Sequence, residues 1–222
     1  MSTRTSPDDG RSPIVTSRSY IPFVVLGAIV AIALAVALVA MGGDEDDDVS
    51  AGDDASGELL DTAGITARGG TLPPLAQGAQ DPAAGMPAPT LEGVDPTGQG
   101  TTVEYDQPTL VAFLAHWCPH CQAELPELVT LADEGALDGM DAVVVLTGTD
   151  PGRPNHPPAA WLQREGWDGR VLLDDERGTA AGAFGLSSYP YLVLVDADGE
   201  VIARNAGELG LEGLREFVGQ AG

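Results

Sequence analysis

The stretch Phe113–Pro126, FLAHWCPHCQAELP, contains the only two cysteines of the chain, Cys118 and Cys121. A nearly continuous apolar run precedes Cys118, which is typical of a buried central strand. Beyond Cys118 the apolar residues recur at helical spacing, so this cysteine is predicted to begin a helix. At that position the free N–H groups and the helix dipole favour a thiolate. We therefore expect a reactive Cys118, with Cys121 one turn further on and more deeply buried.

Two cysteines separated by two residues can exchange disulfides, bind a metal or close a structural disulfide. The redox interpretation is favoured, with Cys118 as the nucleophile and Cys121 as the resolving thiol. His120, between them, would favour the thiolate further. A zinc site needs four ligands, and apart from the cysteines only His116 or His120 is close in sequence. A disulfide that closes so small a loop would stabilise the fold little. No metal and no cofactor beyond the cysteine pair are expected.

The composition limits the range of partners. The formal net charge is −24 and the isoelectric point is near 4.1. Binding to nucleic acid needs a basic surface, so this class of function is not expected.

The N-terminal 41 residues carry the signals of a membrane anchor. Residues 1–20 are polar and include three arginines, and residues 21–41 hold no charge. A helix of that length spans the roughly 30 Å hydrocarbon core of a bilayer. The acidic run at 44–48 follows it, so the positive-inside rule places the N-terminus in the cytoplasm and the remainder outside the cell membrane. A cleaved signal peptide is the alternative, although its apolar region is usually shorter, about 7–15 residues.

The remainder divides into a linker and a folded domain. Residues 42–85 are rich in Gly, Ala, Asp and Pro, with little apolar periodicity, which predicts a disordered tether. Residues 86–222 alternate strand and helix patterns, and then give a hairpin around Asp198–Gly199 and a final amphipathic helix. This order predicts an α/β fold with a mixed central sheet and helices on both faces. His116 and His156 are expected at the surface of this domain.

The stretch around the cysteines resembles the active-site strand and helix of the thioredoxin superfamily. The segments GMPAPTLEG (residues 85–93) and SSYPYLVLVDADGEV (residues 187–201) are similar to its membrane-anchored TlpA/ResA-like branch, close to the redoxin group. The resemblance covers about residues 86–222. It rests on the W-C-x-x-C motif that begins at Trp117, on Pro126 eight residues after the first cysteine, and on Pro190 before an apolar strand.

The resemblance implies roles for residues outside the cysteine pair. Pro190 would be cis and face the disulfide, and Tyr189 before it would offer backbone groups to an extended substrate chain. Trp117, Pro119 and His120 would support the active site. The resemblance also implies partners, namely extracytoplasmic protein thiols or disulfides and a membrane electron carrier.

Two departures from thioredoxin leave questions open. The position of its buried acid on the central strand is Ala112 here, so the group that moves the proton of Cys121 is not identified. The dipeptide Pro119–His120 is that of the oxidant DsbA, whereas anchored TlpA/ResA-like proteins often act as reductants. The direction of transfer therefore stays open. The other functional hypotheses are a binding or metal-chaperone module with this fold and a thiol peroxidase, although VAFLAHWC lacks the Pro and Thr/Ser pattern of peroxidases.

Overall fold

A five-stranded mixed sheet forms the centre of the domain in the computed structural model, which describes residues 59–75 and 80–222. In spatial order its strands are β6 (Arg170–Leu173), β5 (Asp141–Leu146), β4 (Thr109–Leu114), β7 (Tyr191–Val195) and β8 (Val201–Ala206). Strand β4 pairs in parallel with β5 and antiparallel with β7. Every residue of β4 is buried, as its continuous apolar pattern predicts.

Helices cover both faces of this sheet because successive side chains of a buried strand point to opposite sides. On one face, Leu110 and Leu114 of β4 share a core with α1 (Pro119–Asp133), α2 (Pro158–Glu165) and α4 (Gly210–Val218). On the other face, Val111 and Phe113 pack against α3 (Thr179–Ala183) and a small second sheet. The predicted α/β fold with a mixed sheet and helices on both faces is confirmed.

The second sheet corrects the predicted linker. It consists of β1 (Thr66–Arg68), β2 (Thr90–Val94) and β3 (Gly100–Val103), all antiparallel. The β1 strand lies inside the predicted tether of residues 42–85. Two more residues of that tether, Leu72 and Ala83, are fully buried in the core. The described part of the linker is therefore folded against the domain.

A buried ion pair helps to explain why this Gly- and Pro-rich segment folds. The Arg204 guanidinium, on β8, is inaccessible to solvent and donates from Nε to Asp81 Oδ2 at 3.0 Å. Its Nη1 donates to the carbonyl of Pro73 at 2.9 Å and to the Tyr191 hydroxyl at 2.9 Å. One side chain of the sheet thus binds two parts of the predicted linker, a long-range stabilisation that local composition does not indicate.

The predicted membrane anchor at residues 21–41 lies outside the described residues. Within residues 59–75 and 80–222, no helix is long and apolar enough to cross a membrane.

Candidate active site

Cys118 lies at the N-terminus of α1, as the sequence predicts. It is the N-cap residue, with extended backbone angles, and Pro119 follows in the first turn. Proline is favoured there because its missing N–H would have no helical partner. The Cys118 N–H donates to the carbonyl of Ala115 at 3.0 Å, and the residue is 7% exposed. Cys118 is therefore largely buried but keeps a small accessible area, next to the free amides of the helix.

Cys121 lies one helical turn further on and is completely buried. Its Sγ accepts a hydrogen bond from the Ala115 N–H at 3.5 Å. Burial raises the pKa of the Cys121 thiol, and the negative charges of Cys118 and Glu124 add to this effect. Both cysteines are free thiols in the structure. One thiol is thus placed for attack, while the other is held protonated beneath it.

Glu124 is a site residue that the sequence analysis missed. It is completely buried three residues after Cys121, and its Oε2 accepts a hydrogen bond from the Gly210 N–H at 2.9 Å. The Leu209 N–H donates to the same carboxylate at 3.1 Å. Burial raises the pKa of the Glu124 carboxyl, although these two amides oppose the rise. The signal available in the sequence was an acid on the buried face of α1.

The residue before Pro190, Tyr189, lies next to the cysteine pair. The Tyr189–Pro190 peptide bond is cis, as the resemblance implied. The carbonyl oxygen of Tyr189 lies 4.0 Å from Cys118 Sγ. The backbone of Tyr189 is therefore next to the thiol that would bond to a substrate sulfur.

The Tyr189 side chain packs against the loop after β5. Its ring meets that of Trp117 edge-on at 5.8 Å, and a Cβ added to Gly148 would be only 2.7 Å from its hydroxyl. Trp117 Nε1 donates to the carbonyl of Gly148 at 2.8 Å. A glycine at this position thus lets two aromatic side chains close one wall of the site.

The two histidines nearest the cysteines have different surroundings. His120 is exposed, and its Nδ1 lies 2.9 Å from Glu208 Oε2. His116 is buried, which corrects the surface position expected for it, and burial lowers its pKa. Its Nδ1 lies 2.7 Å from the Pro154 carbonyl oxygen, and its Nε2 accepts from the Asp150 N–H. Since both nitrogens of His116 have partners, the ring holds the loop after β5 in place.

His156 is partly exposed and lies next to His116. About a quarter of its side chain is accessible, and its Nε2 lies 2.8 Å from Asp61 Oδ2. Its ring meets that of His116 at 5.8 Å. The surface position expected for the two histidines is therefore wrong for His116, whereas His156 is partly exposed.

A comparison with protein families identifies the kind of domain. The model of the family described as Redoxin matches residues 83–215, which is more than half of the chain. The chain belongs to the Redoxin family. A thiol:disulfide interchange protein DsbE homolog of Paracoccus denitrificans is 32% identical to this Redoxin protein over 100 residues, covering 45% of this chain and 51% of the relative.

A second relative is the methylamine utilization protein MauD of Methylobacillus flagellatus. It is 31% identical over 137 residues, covering 58% of this chain and 55% of the relative. The chain thus spans about half the length of the curated relatives that it matches.

Solved structures support the thioredoxin-like fold of this Redoxin domain. A thiol:disulfide interchange protein of the thioredoxin family from Chlorobium tepidum matches with a TM-score of 0.52 and 22% identity. The match covers 64% of this chain and 99% of that structure. At this level of identity the likeness concerns the fold.

Proposed function

We propose that this chain is a membrane-anchored, extracytoplasmic thiol–disulfide oxidoreductase that acts on protein substrates through Cys118 and Cys121. The observation that carries the proposal is the arrangement of the two thiols. Cys118 caps a helix and keeps a small accessible fraction of 7%, and Cys121 is completely buried one turn beneath it. The Tyr189 carbonyl beside Cys118 supports the proposal, since it offers an acceptor to the backbone of a bound substrate.

The proposed reaction has two exchange steps. In the first, the Cys118 thiolate attacks one sulfur of a substrate disulfide, and the other substrate sulfur leaves as a thiolate that takes up a proton. In the second, Cys121 loses its proton and attacks Cys118 Sγ, which releases the second substrate thiol. Two electrons pass from the dithiol to the substrate. The same steps in reverse introduce a disulfide, so the reduction potential of the pair sets the direction.

In this scheme Glu124 takes the role of the buried acid that thioredoxin has at the position of Ala112. The second step requires a proton to leave Cys121, whose thiol is buried and whose pKa is raised. Glu124 follows Cys121 by three positions on α1, so the two buried side chains lie on the same face of the helix. Its own raised pKa suits a group that takes up and returns a proton. We assign Glu124 as the group that assists proton transfer to and from Cys121.

The membrane part of the proposal rests on the sequence. Residues 21–41 would form the anchor, with the arginine-containing N-terminus in the cytoplasm and the Redoxin domain outside. Acting as a reductant, the domain would need electrons from a carrier in the same membrane. Carbonate extraction of membranes that contain the full chain tests the anchor. The proposal expects the intact chain in the pellet, and a shortened chain in the soluble fraction would instead support a cleaved signal peptide.

Trapping of the mixed disulfide tests the enzymatic part. In the full chain, Cys121→Ser should accumulate a covalent adduct between Cys118 and a substrate thiol, visible by mass spectrometry and removed by dithiothreitol. Cys118→Ser is the matched control, because it retains a thiol in the same motif and should form little adduct. Equal trapping by both variants, or by neither, would contradict the assigned roles.

A further inference from the structure

Glu208 is a second carboxylate near the cysteine pair, and it has no part in the proposed exchange steps. An open groove next to Cys118 is lined by His120, Ser188, Tyr189 and residues 207–210. The carbonyl oxygen of Tyr189, one of these lining residues, lies 4.0 Å from Cys118 Sγ. A substrate chain joined to Cys118 through a disulfide must therefore have its neighbouring residues in or next to this groove.

Glu208 is the only carboxylate among the residues that line the groove. Its side chain is 41% exposed, and the two residues after it are held by the buried carboxylate of Glu124. Gly207 and Gly210, on either side, both have positive φ angles, of 114° and 66°. The loop thus presents the Glu208 carboxylate from a fixed backbone, which lowers the entropic cost of binding a ligand there.

The present partner of Glu208 is replaceable. His120 Nδ1 lies 2.9 Å from Glu208 Oε2, but the His120 side chain is 68% exposed. Ion pairs at such accessible positions contribute little to stability. A guanidinium can instead make two parallel hydrogen bonds to one carboxylate, which is a stronger and more directional contact. An arginine from a substrate can therefore displace His120 from Glu208.

The net charge of the whole chain also favours basic substrates. With a net charge of −24, it attracts basic partners and repels acidic ones at long range. The groove contains no arginine among its lining residues, so nothing there would favour an acidic substrate.

We propose, on the basis of the oxidoreductase function above, that Glu208 selects protein substrates with a basic residue within two positions of the reacting cysteine. The basic side chain binds the Glu208 carboxylate in the groove and takes the place of His120. Glu208 is thus a specificity residue of the exchange reaction, and the substrate class is a cysteine in a basic sequence context.

Competition between matched peptides tests this inference on the full chain. The peptides carry one activated disulfide and differ only in having Arg, Ser or Glu two residues from the cysteine. For the unmodified protein we expect kcat/KM to be about tenfold higher for the Arg peptide than for the Glu peptide, which corresponds to about 1.4 kcal/mol. In Glu208→Gln this ratio should fall below about threefold.

Glu212→Gln is the matched control. It removes one charge from an 80% exposed glutamate on α4, outside the groove, so it separates the effect of net charge from that of Glu208. The control should keep the tenfold ratio. A ratio that persists in Glu208→Gln, or one that falls equally in both variants, would overturn the inference.

A neutral small disulfide separates this inference from the function on which it rests. If the protein exchanges with 2-hydroxyethyl disulfide but does not discriminate between the peptides, only the role of Glu208 is overturned. If it exchanges with neither the small disulfide nor the peptides, the oxidoreductase function and the inference both fail.

Discussion

The carboxylate of Glu124 accepts a hydrogen bond from the Gly210 N–H at 2.9 Å, across 86 positions of sequence. This contact ties α1, which carries both cysteines, to the start of α4. The same carboxylate raises the pKa of the Cys121 thiol through its charge. Glu124 therefore links the chemistry of the dithiol to the loop that presents Glu208.

The first prediction concerns proton transfer by Glu124. In Glu124→Gln, the attack of Cys121 on the mixed disulfide should slow by at least about tenfold at pH 7, since general acid–base assistance is typically worth 10²–10⁴-fold. The rate should then rise with pH, because hydroxide must remove the proton that Glu124 no longer accepts. Stopped-flow measurement of the resolution step between pH 6 and 9 checks this.

The control for that experiment is Glu127→Gln, which removes a charge from the same helix and near the same carboxyl. It should leave the rate within about twofold of the original. An unchanged rate and pH profile in Glu124→Gln would exclude a role for this carboxylate in proton transfer.

A second prediction concerns the close approach of Gly148 to Tyr189. In Gly148→Ala the new Cβ would lie 2.7 Å from the Tyr189 hydroxyl, on a backbone with a φ of +60°. We expect the free energy of unfolding to fall by about 2–4 kcal/mol, from overpacking together with left-handed strain. Adding Tyr189→Phe removes the clashing oxygen and should restore at least about 1 kcal/mol. Urea unfolding of the single and double variants measures this coupling.

Gly139→Ala provides the comparison for backbone strain alone. Gly139 has a φ of +78°, and a Cβ there would meet no atom within 4 Å. Its cost should be about 1 kcal/mol and should not change when Tyr189→Phe is added. If the two glycine substitutions cost the same, the proposed contact with the Tyr189 hydroxyl is wrong.

The third prediction tests the buried ion pair that holds the N-terminal segment. Arg204→Met leaves the Asp81 carboxylate without its partner, and breaking a buried pair in this way typically costs about 3–5 kcal/mol. Arg68→Met is the matched control, because Arg68 pairs with Glu92 at the surface with both side chains more than half exposed. Its cost should stay below about 1 kcal/mol. Equal costs in urea unfolding would mean that the contacts of Arg204 with Pro73 and Asp81 do not stabilise the domain.

A fourth prediction concerns pH and the reduced protein. The folded protein holds the Cys121 proton more tightly than the unfolded chain, in which the thiol has an ordinary pKa near 9.0. Above that pH the unfolded chain loses this proton first, so the stability of the folded state falls as pH rises. The additional slope should approach 1.4 kcal/mol per pH unit between about pH 9 and 10.

Cys121→Ala isolates this contribution, because it keeps a small apolar side chain at the buried position. Its stability, measured by urea unfolding under reducing conditions, should fall less steeply over the same range. Parallel slopes for the two proteins would show that Cys121 does not titrate differently in the folded and unfolded states.

Local sequence patterns were sufficient to predict most of the central sheet and the position of the cysteines. The continuous apolar run before Cys118 fixes a central strand, and the helical spacing after it places Cys121 one turn beneath. The hairpin at Asp198–Gly199 follows from its turn residues, and the structure has strands β7 and β8 on either side. These features depend on residues close together in the chain.

The features that were missed depend on contacts between distant residues. Glu124 can be buried because the amides of Leu209 and Gly210 donate hydrogen bonds to its carboxylate, and nothing near Glu124 in sequence indicates them. The segment around Asp81 folds because Arg204, 123 positions away, binds it. His116 is buried because the loop after β5 supplies partners for both its nitrogens. Composition and periodicity do not contain this information.

The reduction potential of the Cys118–Cys121 pair, in the full chain equilibrated with glutathione buffers, tests the central claim most directly. The account predicts one reversible two-electron transition that is absent in Cys121→Ser. A midpoint near about −120 mV would assign an oxidant, and one near about −270 mV a reductant. A pair that stays fully reduced or fully oxidised throughout the series would contradict the proposal that this site exchanges disulfides.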